Sequence, residues 1–127
     1  MSKSFDITPQ IDDILEEVMD DVKDVTNKEI KRTARDAAQK LKATSPRNEG
    51  GKRAGRYANG WKIKQGDGET IVYNATDRQL THLLENGHAV VNRYGDTGAR
   101  ASAIKHIEPV EQWASDELPM RIIRGLK

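Results

Sequence analysis

Apolar residues recur early in the chain at Ile11, Ile14, Val18, Val22 and Val25, and again at Ile30, Ala34, Ala37 and Leu41. Steps of three and four place them on one face of an α-helix. Thr8 suits a cap and Pro9 the first helical position, with acids following at Asp12, Asp13, Glu16 and Glu17. The spacing predicts a helix over residues 8–43 whose acidic start and basic end suit the helix dipole. Such a helix spans roughly 50 Å, whereas a compact domain of this size is only about 36 Å across. It therefore overhangs the domain or breaks near the step at Thr26-Asn27. An overhang leaves part of the apolar stripe without a partner in its own chain, and self-association is its natural sink.

The pattern changes after Ser45-Pro46, where residues 47–58 read as a loop rich in Gly, Arg and Lys. In the sheet region, residues 59–107, Trp61, Ile63 and Gln65 alternate with Lys62 and Lys64. The turn Gly66-Asp67-Gly68 then leads to Thr70–Asn74, which predicts an antiparallel hairpin. Asp77 can cap a short helix over 78–86 with Leu80, Leu83 and Leu84 on its buried side, stopped by Gly87. Ala89-Val90-Val91 reads as a third strand, and residues 92–103 as a flexible loop. Glu108-Pro109 opens a closing helix over 108–124 with Val110, Trp113, Ala114 and Leu118 on one side. Pro119 should kink or divide it, leaving Met120, Ile122, Ile123 and Leu126 as an amphipathic tail and a further contact surface. The expectation is one α+β domain over 1–127, with a small antiparallel sheet of about three strands.

Charge sharpens this picture. Residues 1–27 carry a balance of −6, residues 28–64 of +9 and residues 65–127 of −2, although the whole chain is only +1. Such segregation suggests complementarity between partners or copies. No apolar run is long enough to cross a membrane, and the absence of cysteine fits an intracellular setting.

Candidate chemistry is sparse. The run HLLENGH spaces His82, Glu85 and His88 by threes, but on a helix His82 and Glu85 fall opposite the leucines, and His88 follows the stopping Gly87. This is not the zincin arrangement, in which two His lie four apart. The imidazoles read as surface or edge groups, and a metal-dependent hydrolase built on them is the weakest of three alternatives. There is no nucleophile elbow, and GGKRAG lacks the spacing of a phosphate loop. No catalytic, cofactor or metal residue is assigned. Lys52, Arg53, Arg56, Lys62 and Lys64 surround Tyr57 and Trp61, a mixture that could hold nucleic-acid backbone and stack on bases. A small DNA-associated protein using residues 47–64 is thus the second alternative, although Trp61 opens an alternating strand and suits a core.

The order GxRYANGWKIK, TIVYNATDRQLTHLLENGHA, a Gly/Arg loop and HIEPVEQ resembles the tail-completion, or head–tail joining, proteins of long-tailed phages, the gene-ten-like minor tail proteins. The likeness covers about Arg47 to Leu118. Its signature positions are Trp61, Leu80, Leu83, Leu84, Gly87, His88, His106 and Pro109. The resemblance implies a non-enzymatic virion component, of phage or prophage origin, that assembles in the host cytoplasm. It implies a homo-oligomeric ring at the tail or neck, a monomer when isolated, and contacts with other tail and neck proteins. Lys52, Arg53, Arg56, Arg93 and Arg100 are the expected partner or lumen contacts, touching passing DNA without reading its sequence.

Overall fold

The computed structural model describes residues 4–47 and 54–127. Helix α1 runs unbroken from Thr8 to Thr44, so the step at Thr26-Asn27 does not interrupt it. Its cap differs from expectation: Ile7 holds the cap position, and Asp6 Oδ1 accepts the Thr8 N–H at 2.9 Å. Burial begins only at Glu29, then follows Thr33, Ala34, Ala37, Ala38 and Leu41.

A short turn of helix, α2 (Arg56–Asn59), feeds the hairpin of β1 (Trp61–Gly66) and β2 (Glu69–Asn74). These strands pair antiparallel from Trp61↔Asn74 to Gly66↔Glu69. Asp67 and Gly68 both take positive φ, the two-residue turn that matches strand twist. The hairpin lays Trp61 on Ala37, Ala38 and Leu41, with Tyr57 and Val110 completing the buried cluster and Ile63, Val72, Leu80, Leu84, Ile107 and Trp113 packed around it.

Helix α3 spans Leu80–Asn86, and Gln79, not Asp77, occupies its cap position. Asp77 contributes its backbone carbonyl to the Leu80 N–H and its carboxylate to Arg56, which takes it out of capping. Leu80 and Leu84 face the core, but Leu83 is exposed, and Glu85 is buried in its place.

The third strand, β3 (His88–Asn92), does not join the first hairpin. It pairs antiparallel with β4 (Gly95–Ala101), a strand inside the segment expected to be a flexible loop. The α+β class and long first helix hold, with two two-stranded sheets in place of one of about three strands.

Helix α4 (Ile107–Gly125) lies along the buried half of α1, from Val110 in the core to Gly125 beside Val25. Arg121 pins the two helices through Asp36, at 2.8 Å. Pro119 does not divide α4. The carbonyl freed by its missing N–H belongs to Ser115, which is exposed and open to water.

Candidate functional site

Two regions stand out: a buried polar latch that holds the closing helix, and a helical arm whose apolar face is exposed among the described residues. The latch begins with a helix-start problem. The first four N–H groups of a helix lack partners within it, and in α4 these belong to residues 106–109. Pro109 has no N–H. The other three converge on one side chain from α3: His106 N–H and Ile107 N–H donate to Glu85 Oε1 at 2.8 and 2.9 Å, and Glu108 N–H donates to Oε2 at 3.0 Å. Glu85 is only 9% exposed. Burial pushes its carboxyl pKa up, but the three backbone donors and the neighbouring His106 outweigh that and hold it below the ordinary glutamate value. The carboxylate also complements the positive end of the α4 dipole.

His106, 2% exposed, extends the latch into the core. Its Nδ1 lies 2.7 Å from the Ile104 carbonyl, a pure acceptor, so Nδ1 carries the proton. Nε2 then accepts the Tyr57 hydroxyl at 2.7 Å. The rings of Tyr57, Trp61 and His106 meet edge to face with centroids 5.6–6.5 Å apart. Burial, with a contribution from the Glu85 charge, pushes the Tyr57 hydroxyl up to about 12. Trp61 Nε1 donates to Ser45 Oγ at 2.8 Å, and Asn74 Nδ2 to the Tyr57 carbonyl at 2.7 Å. Every polar tip in this cluster is therefore spent on another part of the fold.

Gly87 must be glycine. Its φ of 75° and ψ of 172° are nearly closed to other residues, and a Cβ there would meet the Ala101 carbonyl at 2.6 Å. His88 keeps a buried Nδ1 without a hydrogen-bond partner among the described residues.

The signature residues thus gather into one structural unit, apart from Leu83. The placing of Glu85 with His82 on a solvated face is corrected: His82 is exposed, whereas Glu85 is turned inward by the donors of α4. His106 is buried. Among the described residues no three His, Asp or Glu side chains gather as metal ligands.

The expected contact residues do not form one patch. Lys52 and Arg53 lie outside the described residues. Arg56 pairs with Asp77 at 3.4 Å and serves the fold. Arg93 and Arg100 share the β3–β4 hairpin, where Arg93 lies over the Tyr94 ring at 4.8 Å and Arg100 reaches the Asn86 carbonyl. Both sides of this hairpin are open, with Val91 and Tyr94 exposed.

The arm is the half of α1 before Val25. Phe5, Ile7, Ile11, Ile14, Leu15, Val18, Met19 and Val22 are 39–85% exposed. Ile11, Leu15, Val18, Val22 and Val25 alternate steps of four and three, the spacing of a helix–helix seam. The face they form continues the stripe that α4 covers from Val25 onward. Beside the end of α4, Met120, Ile123 and Leu126 are also bare.

In comparison with known proteins, a family model described as "Bacteriophage HK97-gp10, putative tail-component" fits residues 9–87. No curated protein and no solved structure matches.

Proposed function

The chain belongs to the HK97-gp10-like family of phage tail components, and on that premise we propose that it completes the tail, or joins tail to head, as a homo-oligomeric ring. The observation that carries this reading is the arm: an unbroken amphipathic helix whose apolar face has no partner among the described residues of its own chain. A second open element, the β3–β4 hairpin, supports it. Two-stranded hairpins are marginal alone in water, so this one suits a contact with a neighbour in the assembled virion. Ring closure also needs two different complementary surfaces on each copy, and the −6 and +9 segments provide opposite charge. The role is structural, and the latch serves it by fixing α4 and the hairpin base to the core.

The DNA-associated alternative loses its stacking platform, because Tyr57 and Trp61 are 7% and 4% exposed. Arg47 and Arg56 are engaged within the chain as well. Contact with DNA in a ring lumen is then a matter of charge, with Arg93 and Arg100 the exposed candidates.

The test is an assembly experiment. Phage particles made without this chain should accumulate filled heads and unjoined tails, and adding the purified protein should restore infectivity. Infectious tailed virions formed in its absence would refute the role.

A further inference from the structure

The bare arm needs a cover, and its charge narrows the choice. Between Thr8 and Asp24 the polar side carries Asp12, Asp13, Glu16, Glu17, Asp20, Asp21 and Asp24 against one Lys23. An anionic membrane surface would repel such a helix. Among the described residues the arm's apolar face stays bare, because α1 is one continuous helix and Gly125, near the end of α4, lies beside Val25. Eight apolar residues from Phe5 to Val22 are 39–85% exposed, and large exposed apolar patches mark interaction sites.

The geometry points to a second copy of this chain as the occupant, its arm lying antiparallel along the first. The seam fits this direction. With Leu15 set against the second copy's Val18, Ile11 falls against Val22, and both pairings repeat across the two-fold axis. The flanking positions then place Asp21 beside Ile14 and Asp12 beside Met19, so no acid opposes an acid at the seam. The base of the arm gathers Lys28, Arg32, Arg121 and Arg124 around Glu29 and Glu117, with Arg32, Arg121 and Arg124 already paired to those acids and to Asp36. In this register Asp6 of the second copy comes level with Asn27, next to Lys28, whereas Asp12 and Asp13 run level with Asp21 and Asp20. The bare Met120, Ile123 and Leu126 meet Phe5 and Ile7 at the same place. A parallel pair would instead set Asp6, Asp12 and Asp13 beside the same residues of the second copy. The pairing describes the free protein, in place of the monomer expected from sequence, and does not rest on the joining role.

Purified protein at tens of micromolar should show a mass near twice 14.2 kDa by light scattering. Val18→Asp should reduce it to the monomer mass while staying folded by circular dichroism, with a urea midpoint equal to that of wild type diluted until it is unpaired, since Val18 is exposed within its own chain. A monomeric wild-type protein, or a Val18→Asp protein that stays paired, would overturn the proposal. The chain has no cysteine, so engineered thiols report direction. Ile11→Cys and Val22→Cys chains should form a disulfide when mixed and oxidised, and neither should do so alone. Efficient linkage of Ile11→Cys to itself would overturn the antiparallel arrangement. Each result is independent of virion assembly, so failure here and failure of the joining role are separable.

Discussion

Replacing Glu85 tests whether one side chain holds the closing helix. In Glu85→Ala three N–H groups lose their acceptor, those of His106, Ile107 and Glu108. An orphaned buried donor costs about 1–3 kcal/mol. The last two bonds are only part-buried, so water recovers some of that, and about 1 kcal/mol each is a fair value. Loss of the charge at the helix start adds roughly 0.5–1 kcal/mol. The total is about 4 kcal/mol, a large part of the ~5–15 kcal/mol that keeps a domain folded. With an unfolding entropy of about 2.1 cal/mol/K per residue, the melting temperature should fall by roughly 15 °C. Glu85→Gln keeps one carbonyl oxygen for His106 and Ile107 but turns an amide toward the Glu108 N–H, so about half the cost is expected. Urea unfolding followed by circular dichroism and by Trp61 and Trp113 fluorescence gives both values. If Ala and Gln variants lay within about 0.5 kcal/mol of wild type, Glu85 would not hold α4. The pH dependence has a definite sign. A depressed folded-state pKa makes Glu85 stabilising above its unfolded value of about 4.3. That contribution disappears as pH falls through the lower folded value, so the gap between wild type and Glu85→Gln should shrink in acid.

Other substitutions probe neighbouring links. Tyr57→Phe leaves His106 Nε2 without its donor and should cost about 1–2 kcal/mol by urea denaturation. Subtracting its ultraviolet pH titration from that of wild type should show a phenol ionising near pH 12, and a difference step near pH 10 would contradict the buried hydroxyl. The raised value also has a stability consequence: the contribution is intact below the unfolded pKa of about 10 and lost as pH climbs toward 12. Gly87→Ala combines a left-handed φ with a backbone collision and should destabilise by about 3 kcal/mol, and an unchanged melting temperature would refute the close approach. A chain starting at Val25 should stay within about 1 kcal/mol of full-length stability, because the arm adds no packing to the core; a larger loss would reveal contacts with the body.

What the sequence revealed follows from which physical signals it carries. Helices α1 and α4 were legible because three-and-four spacing of apolar residues survives even where the face is bare. The first hairpin was legible through Asp67-Gly68, whose backbone freedom fixes a two-residue turn. Strand β4, with the sequence GDTGARA, gave no alternation because both of its sides face solvent. Glu85 was misplaced for a related reason. Helical periodicity sorts residues by polarity, so it sends a carboxylate outward and cannot see three backbone donors waiting on the next helix. Pro109 was the available clue: a helix with proline at its fourth N–H position has three donors left to satisfy, which a carboxylate elsewhere in the chain can accept. Of the contact residues, Arg93 and Arg100 lie on the hairpin that periodicity missed, one in its turn and the other opposite Ala89, whereas Arg56 proved to be part of the fold.

The two sharpest stretches of the sequence, Leu80–His88 and His106–Pro109, are halves of one device. Glu85 supplies the acceptors, residues 106–108 the donors, Pro109 removes the fourth, and Gly87 lets the chain turn away at once into β3. Their joint presence follows from this geometry without any ligand or reaction. The consequence concerns where contacts with other proteins should be sought. Side chains spent on the latch are closed off, so they can tune how firmly α4 and the hairpin base are held but cannot themselves touch a neighbour. The surfaces with unspent apolar area and charge are the arm before Val25, the bare end of α4 and the β3–β4 hairpin. Substitutions at the latch should therefore change stability and, through it, the amount of folded protein. Substitutions on the arm or hairpin should spare stability and change association alone.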